Sequence, residues 1–388
     1  MTTSGNAVDA AVAAVPLVDH HVHGALRETP DRPTLEALLT ESDRPVPPWM
    51  TMFDSPLGLA IRRWCAPLLD LEPGVAAEEY VARRTALGEA EVTRRMLRHN
   101  GVEHYLVETG YAEGVLGPAE MAAAANADAG EIVRLESVFE TLAAEVGAAA
   151  AVRTFPEVLA ERAGAAAGLK SVAAYRFGFD FAPEPPTHAE AVAAAGSMLA
   201  LAGPRGPRVA DPTLLRFLLW RGVERGLPLQ LHCGYGDPDL ELHRCDPLLL
   251  TRFLRLVEPH GVDVLLLHCY PYHRQAGYLA QVFPHVYFDV GLAVNHTGLS
   301  SPAVVAESLE LAPFAKVLFS SDAYGPAELH FLGAHLWRRG LARVLGGWVD
   351  EGAATTADAA RVATMIGREN AQRVYGLRPP EQRPILQG

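Results

Sequence analysis

The chain has 388 residues, of which 49% are hydrophobic and 20% are charged, as is typical of a globular protein with a sizeable core. Its net charge of −13, from 33 basic and 46 acidic residues, argues against a nucleic-acid partner, because such partners are bound by clustered lysine and arginine. The four cysteines are too few and too scattered for a disulfide framework, which favours a reducing compartment.

The N-terminal segment predicts neither a secretory signal nor a membrane span. It lacks a basic region, and Asp9 and Asp19 interrupt its apolar stretch, whereas both kinds of segment need an unbroken apolar run. We therefore expect a cytoplasmic protein without a membrane partner. The sequence leaves homo-oligomerisation open.

Short β-branched or leucine-rich runs recur along the chain, each followed by a turn and a longer alanine-rich or amphipathic segment. This alternation is typical of parallel βα units, and continuous apolar runs indicate strands that are covered on both faces. Eight such strands predict a closed (β/α)8 TIM barrel of the α/β class rather than an open sheet. The predicted strands are residues 15–20, 102–109, 131–139, 168–175, 227–233, 263–269, 285–291 and 316–322.

The segment between the first two predicted strands is longer than a barrel unit requires. It has helical periodicity at residues 35–42 and 76–101, and it is proline-rich and irregular at residues 43–58. We predict that residues 25–100 form a helical cap over the mouth of the barrel, with residues 61–70 facing the site. The whole chain, residues 1–388, is then one barrel domain, which ends in a short amphipathic helix at 367–377 and a tail at 378–388.

Three histidines follow the first hydrophobic run, in the stretch PLVDHHVHG at residues 16–24. On a strand, His21 and His23 point to one face, whereas His20 points to the other face. Two imidazoles on one face suit a single metal ion, because neutral imidazole is the commonest protein ligand for zinc-like metals. Alone, the pair is equally compatible with two buried, hydrogen-bonded histidines or with a solvated turn.

Polar residues also end three later hydrophobic strands. They are His232, His268 and Asp322, and in a barrel such strand ends converge on one mouth. Independent buried histidines would each need a separate partner. A shared metal supplies that partner.

Lys170 lies within a predicted strand that is otherwise apolar or small. A buried ammonium is costly unless it is paired or chemically altered. Lys170 could therefore form an ion pair with a carboxylate such as Asp322, or it could be a carbamylated lysine that bridges two metals.

Taken in chain order, these residues resemble the metal site of the amidohydrolase superfamily. The matching positions are the motif at residues 19–23 together with Lys170, His232, His268 and Asp322, on predicted strands one, four, five, six and eight. Further stretches are similar to the amidohydrolase-2-type branch, including the domain that some plants and fungi fuse ahead of a glutamine-synthetase-like domain. These stretches are LKSVAAYRFG, LHCGYGDPDLEL, HCYPYHRQAGYLA and SSDAYGPAELHFLGA, and the resemblance extends over residues 16–377.

The resemblance implies a set of metal ligands and two catalytic residues. His21, His23 and Asp322 would bind one ion, and His232 and His268 a second, with carbamylated Lys170 between them. The ions would be one or two Zn²⁺, with Mn²⁺ or Fe²⁺ as alternatives. A metal-activated water would attack the substrate with Asp322 as general base. In the single-metal members of the branch, the ligands are His21, His23, His232 and Asp322, and His268 is free to hydrogen-bond the nucleophile or the substrate.

Residues near these strand ends are candidates for binding a small-molecule substrate. Arg176 follows Tyr175 at the end of the fourth predicted strand, and its guanidinium could hold a carboxylate in a bidentate contact or form a structural ion pair. The loop after the sixth strand adds Tyr270 and Arg274 at the rim, where barrel loops normally set specificity.

Three hypotheses about function remain. The first is a metal-dependent hydrolase of a C–N bond in a small, carboxylated amide. The second uses the same site for a lyase reaction such as non-oxidative decarboxylation, with the metal as Lewis acid. The third is a non-catalytic metal-binding scaffold, which predicts a missing ligand or a closed site. Every ligand is present in this sequence.

Overall fold

A computed structural model describes residues 3–111 and 113–377. Within them, seven parallel strands form one curled sheet in which each strand pairs with the next along the chain. The predicted (β/α)8 barrel with a helical insertion after the first strand is confirmed. The strands are β1 (Leu17–Val22), β2 (Val102–Glu108), β3 (Asp128–Arg134), β4 (Gly168–Ser171), β5 (Leu229–Cys233), β6 (Val264–His268) and β7 (Val286–Phe288).

Helices surround the sheet and cover its outer face. No helix among the described residues is long and apolar enough to cross a lipid bilayer. The helices are α1 (Thr3–Ala13), α2 (Arg32–Ala37), α3 (Pro56–Ala60), α4 (Ala77–Leu87), α5 (Glu89–His99), α6 (Pro118–Ala125), α7 (Leu135–Val146), α8 (Ala148–Arg162), α9 (Ala173–Arg176), α10 (His188–Ala200), α11 (Pro212–Glu224), α12 (Thr251–Val257), α13 (His273–Val282), α14 (Gly291–Thr297), α15 (Ser301–Ser308), α16 (Ala327–Asp350), α17 (Thr356–Thr364) and α18 (Asn370–Tyr375).

The eighth position of the barrel is filled by an extended segment rather than by a regular strand, which corrects the predicted strand at 316–322. Val317 forms an isolated parallel bridge with Phe288 of β7. On the other side, the amide of His20 donates to the carbonyl of Phe319 at 3.3 Å, and the amide of Asp322 donates to the carbonyl of His21 at 3.1 Å. The segment therefore joins β7 to β1 and closes the barrel.

Three predicted strands extend too far. One is β7, which ends at Phe288 where the prediction continued to residue 291. β3 ends at Arg134, and α7 begins at Leu135, where the prediction continued the strand to residue 139. β4 ends at Ser171 and α9 follows, where the prediction continued to residue 175. At the ends of β3 and β4 apolar residues stand on both sides of the strand end, with only Arg134 or Lys170 and Ser171 between them. A short apolar run does not distinguish strand from helix.

The interior of the barrel and its outer shell are two separate clusters of buried side chains. The inner cluster contains Val18, Leu106, Ile132, Leu265 and Leu267, together with Tyr375 from the C-terminal helix. The predicted helix at 367–377 appears as a π turn, Met365–Glu369, followed by α18. The predicted tail at 378–388 lies outside the described residues.

The segment between β1 and β2 contains α2 to α5, in agreement with the predicted helical insertion. Residues 61–70 do not line the cavity described below, contrary to the expectation that they face the site. Cys65 is fully buried, and Trp64 contacts His335 of α16 with ring centroids 5.0 Å apart. This stretch therefore packs against α16, where its apolar side chains are covered.

A buried ionic cluster fastens the inserted helix α4 to α16. Arg84 donates two hydrogen bonds to Glu89, at 2.6 and 2.8 Å, and two to Glu328, at 2.8 and 3.4 Å. Tyr80 donates to the same Glu328 carboxylate at 2.9 Å. Burial alone would raise the pKa of Glu328, but the Arg84 guanidinium holds that pKa below its usual value. One cation is therefore shared by two buried carboxylates, and burial still raises the pKa of Glu89 although Arg84 opposes that change.

We expect Arg84→Met to lower the free energy of unfolding by about 3 to 5 kcal/mol, because it leaves two buried carboxylates without their cation. The matched control is Arg27→Met. Arg27 pairs with Glu120 where both side chains are nearly half exposed, so we expect a loss below about 1 kcal/mol. Equilibrium denaturant unfolding measures both variants. Equal losses would contradict the structural role of the buried cluster.

Candidate metal centre

The predicted ligands meet at the carboxyl ends of the barrel strands. His21 lies near the end of β1 with His23 just after it, His232 lies in β5, and His268 ends β6. Asp322 is held in the closing segment by the hydrogen bond between its amide and β1. The ligand atoms of His21, His23 and Asp322 all lie within 4.8 Å of one another. Residues up to 301 positions apart in the sequence therefore form one compact donor set.

The distances between donor atoms are short enough for shared ligation. Asp322 Oδ1 lies 3.1 Å from His21 Nε2 and 3.7 Å from His23 Nε2, and Asp322 Oδ2 lies 3.3 Å from His268 Nε2. The rings of His232 and His268 are adjacent, with centroids 4.8 Å apart. Asp322 is thus central, with a carboxylate oxygen toward each group of imidazoles.

Lys170 of β4 lies beside the same donors. Its Nζ is 3.4 Å from His21 Nε2, and the side chain is buried. Burial lowers the pKa of Lys170 to about 8, although the negative charges of Asp322 and Glu108 oppose that change. The structure thus places Lys170 against His21, with Asp322 acting on it through Coulomb attraction.

The backbone is unusual where two of these side chains leave the barrel wall. His268, Cys269 and Asp322 have φ angles of 67°, 57° and 47°. Such left-handed conformations cost a non-glycine residue roughly 1 to 3 kcal/mol and concentrate at functional sites. Two of the three are predicted metal ligands, so this strain coincides with the donor set.

The buried imidazoles are held in the neutral form that ligates metals. Burial lowers the pKa of His23 to about 4 and lowers the pKa values of His21, His232 and His268 well below the usual value. The Nε2 atoms of His232 and His268 are buried without a hydrogen-bond partner. An unpartnered buried nitrogen is costly, so these residues fit a bound divalent ion.

Sequence reasoning missed two carboxylates that support the ligands. Glu108, the last residue of β2, has Oε2 3.3 Å from His23 Nδ1 and accepts a 2.6 Å hydrogen bond from Arg134. Asp289, directly after β7, accepts hydrogen bonds from the amides of His268 and Gly291 at 3.0 and 2.9 Å. Both follow the same rule of a polar residue at a strand end, which was the available signal. Such partners orient ligating histidines.

His20, which strand alternation places on the face opposite His21, contacts two buried polar side chains. Its Nε2 lies 3.0 Å from Asp289 Oδ2, and its Nδ1 lies 3.0 Å from the Tyr375 hydroxyl. The pairing of β1 with β2 shifts register between Asp19 and Val22. Simple alternation fails at such an irregularity. Consecutive histidines here both join the polar interior.

A cavity of about 540 Å³ opens above the donor set. The donors lie on one side of it, and charged and polar side chains from the insertion and the barrel loops complete its wall. These further residues include Glu41, Tyr111, Arg134, Ser137, Glu140, Tyr175, Arg176, Arg208, Asp237, Asp239, Asn295, His296 and Tyr324. The volume suits a small molecule.

Two of the four predicted substrate-binding residues line this cavity, and two do not. Tyr175 and Arg176 are in its wall, and the Tyr175 ring lies 4.3 Å from the His232 ring between centroids. Tyr270 stacks on His273 instead, with centroids 5.8 Å apart.

Arg274 is likewise outside the cavity wall. It is more than half exposed, and it pairs with Glu310 at 2.8 Å and Glu307 at 3.2 Å. The sequence places a residue in a loop but does not show which way its side chain points.

Arg176 is incompletely paired within the cavity wall. Its Nη1 lies 3.3 Å from Glu140 Oε1, but this contact does not have hydrogen-bond geometry, so the buried Nη1 has no hydrogen-bond partner. Burial lowers the pKa of Arg176, and Glu140 opposes that change. The guanidinium therefore has unused donor capacity toward an anion.

Solved structures share this fold over nearly the whole chain. A protein from Lactobacillus casei ATCC 334, provisionally described as a metal-dependent hydrolase, aligns with a TM-score of 0.80 and 27% identity over 95% of this chain and 97% of that one. A uronate isomerase from Bacillus halodurans C-125 aligns with a TM-score of 0.65 and 13% identity over 97% of each chain. The second likeness concerns the fold alone.

Sequence comparison identifies a curated relative and a family. Protein fluG of Emericella nidulans is 33% identical over 227 residues, which are 55% of this chain but only 26% of fluG. The family model Amidohydro_2, described as amidohydrolase, matches residues 107–377. The chain therefore belongs to the amidohydrolase family of metal-dependent hydrolases.

Proposed function

We propose that this protein hydrolyses a C–N bond of a small amide that carries a carboxylate. One observation carries the proposal: the His/Asp/Lys donor set and the incompletely paired Arg176 line the same cavity. A carboxylate of the substrate can take the free donor positions of the guanidinium. The scissile amide is then held next to the donor set.

The residues available for ligation are His21, His23, Asp322, His232 and His268. A divalent ion bound there would act as a Lewis acid, lowering the pKa of a water ligand and polarising the amide carbonyl. The Asp322 carboxylate lies between the imidazoles of His21 and His268. It is placed to accept the proton of the attacking water and to return it to the leaving nitrogen.

Five donors are more than one catalytic zinc-type ion uses, since such ions normally take three protein ligands and keep an open position. His21, His23 and Asp322 already form one such set of three. The unpartnered Nε2 atoms of His232 and His268 then suit a second ion. A carbamylated Lys170 would supply the bridging carboxylate. The unmodified side chain beside His21 would not, because its ammonium group is a cation.

We expect His21→Ala, His23→Ala and Asp322→Ala each to abolish both bound metal and turnover, because each removes one ligand of the compact set. His243→Ala is the matched control, since that imidazole is mostly exposed and lies outside the cavity. Elemental analysis and amide hydrolysis are measured on the same preparations. Full metal occupancy in all three ligand variants would refute the assignment of the site.

For the unsubstituted protein we expect two divalent ions per chain when it is purified with metal and bicarbonate, and one or none for Lys170→Ala. Elemental analysis gives the stoichiometry, and intact-protein mass spectrometry detects the carboxylate added to the lysine. A Lys170→Ala variant that retains two ions would exclude the bridging role. A single ion in the unsubstituted protein would identify the one-metal form of the site.

We expect Arg176→Leu to raise KM for a carboxylated amide by at least about tenfold, because a charge-assisted, bidentate contact contributes about 1.5 to 3 kcal/mol. Arg176→Leu should not change KM for the same amide when its carboxylate is esterified. Arg274→Leu is the control, since its guanidinium pairs with glutamates outside the cavity. Equal increases in KM for the acid and the ester would contradict a contact between Arg176 and the carboxylate.

The substrate screen that finds this amide also tests the lyase alternative. Acyl amides, γ-glutamyl amides and aromatic carboxylates are offered to the metal-loaded protein, and released amine or ammonia is measured alongside CO₂. Release of amine with a free carboxylate product supports C–N hydrolysis. Release of CO₂ from aromatic carboxylates without amide turnover would contradict C–N hydrolysis and support decarboxylation instead.

A further inference from the structure

A buried chain of hydrogen bonds runs beneath the donor set and ends on the C-terminal helix. His21 Nδ1 lies 2.8 Å from Gln230 Oε1. Gln230 Nε2 donates to the Tyr375 hydroxyl at 2.7 Å and to the carbonyl of His20 at 2.8 Å. The Tyr375 hydroxyl also lies 3.0 Å from His20 Nδ1, and His20 Nε2 lies 3.0 Å from Asp289. All five side chains are buried.

The partners of Gln230 fix the orientation of its amide. A carboxamide has one oxygen that accepts and one NH₂ group that donates twice. The carbonyl of His20 can only accept, so the NH₂ group must face it, and its second hydrogen is directed to the Tyr375 hydroxyl. The Gln230 oxygen then accepts from His21, whose Nδ1 must carry the hydrogen. The lone pair of a neutral His21 is therefore on Nε2, the atom 3.1 Å from Asp322.

The other end of the chain is equally defined. Asp289 accepts hydrogen bonds from two backbone amides. An ionised carboxylate has no hydrogen to donate, so Asp289 also accepts from His20. A neutral His20 then donates through Nε2 and accepts through Nδ1, so the Tyr375 hydroxyl donates to His20 and accepts from Gln230. Each group between Asp289 and His21 has a single consistent role. In a low-dielectric interior such a fully satisfied network is strongly favoured over a broken one.

We propose that Gln230 is a positioning residue for the metal centre, because its amide oxygen keeps the hydrogen of His21 on Nδ1 and leaves the Nε2 lone pair available for ligation. This inference rests on the proposed metal site, but not on the identity of the substrate. The carbonyl of His20 fixes the orientation of the Gln230 amide, and the Tyr375 hydroxyl of α18 accepts its remaining hydrogen. Gln230 is not part of the cavity wall, so it acts on the site through His21.

The test uses Gln230→Leu, which removes the oxygen that accepts from His21 and keeps a side chain of similar size. Tyr287→Phe is the control, because Tyr287 belongs to the inner cluster but is not in the network. Zn²⁺ affinity is measured by competition with a chromophoric chelator on metal-free protein, and the Tm of the metal-free protein is recorded in parallel. We expect Zn²⁺ binding to weaken about 10- to 100-fold in Gln230→Leu, as is typical when a partner of a ligand is lost, and to be unchanged in Tyr287→Phe. Tyr375→Phe should weaken it less, because the carbonyl of His20 still orients the amide.

A second variant separates positioning from a general loss of packing. Gln230→Glu keeps a side-chain oxygen that can accept from His21, so we expect its Zn²⁺ affinity to stay close to that of the unsubstituted protein, whereas Gln230→Leu loses affinity. Nitrogen-15 NMR of histidine in the metal-free proteins should show a mixture of His21 tautomers only in Gln230→Leu.

The outcomes distinguish this inference from the function on which it rests. Normal Zn²⁺ affinity in Gln230→Leu would overturn the inference and leave the metal centre standing. An equal loss of affinity in Gln230→Glu and Gln230→Leu would also overturn it, because the side chain would then act by packing. Failure of the unsubstituted protein to bind Zn²⁺ would overturn both the metal centre and the inference.

Discussion

The site depends on the backbone pairing that closes the barrel between its first strand and its last segment. The amides of His20, Asp322 and His23 donate to Phe319, His21 and Ala323, respectively, at 3.3, 3.1 and 2.9 Å. Asp19 reinforces this pairing by accepting from the amide of Ser321 at 3.0 Å. These bonds bring Asp322 against the histidines of β1. Without closure, the carboxylate that links the imidazoles would have no fixed position.

Closure also creates an electrostatic problem that the surrounding residues only partly solve. Burial lowers the pKa of the imidazoles, which keeps them neutral, and it raises the pKa of the carboxylates, which disfavours their charged form. Glu108 is stabilised as an anion because Arg134 donates to it, which holds its pKa below the usual value despite burial. The negative charge of Asp322 is not compensated to the same extent. Burial raises its pKa well above the ordinary value, and the nearby charge of Lys170 offsets only part of that increase. A divalent cation would supply the missing positive charge, which is the physical reason to expect one here.

The strand-end rule explains both the success and the limits of reading this site from the sequence. His232, His268 and Asp322 were found because each is a lone polar residue after an apolar run, and barrel geometry brings such ends together. Glu108 and Asp289 obey the same rule but were read as parts of strands. Gln230 carries the same signal as Lys170, since it is a polar residue inside an apolar run. Tyr375 carries no local signal, because its contacts span 145 and 355 residues of sequence. The loop residues Tyr270 and Arg274 show that proximity in sequence does not fix side-chain direction.

The site is consequently built in two layers with different constraints. The lower layer, from Asp289 through His20 and Tyr375 to Gln230 and His21, is buried, fully satisfied and held by the barrel itself. The upper layer is the cavity wall, which comes from the insertion and the loops and contains partly paired charges such as Arg176. A change in the lower layer breaks several hydrogen bonds at once, whereas a change in the upper layer alters a single side chain of the cavity wall. On the proposed function, metal ligation would therefore be a property of the barrel, and substrate choice a property of the segments placed over it.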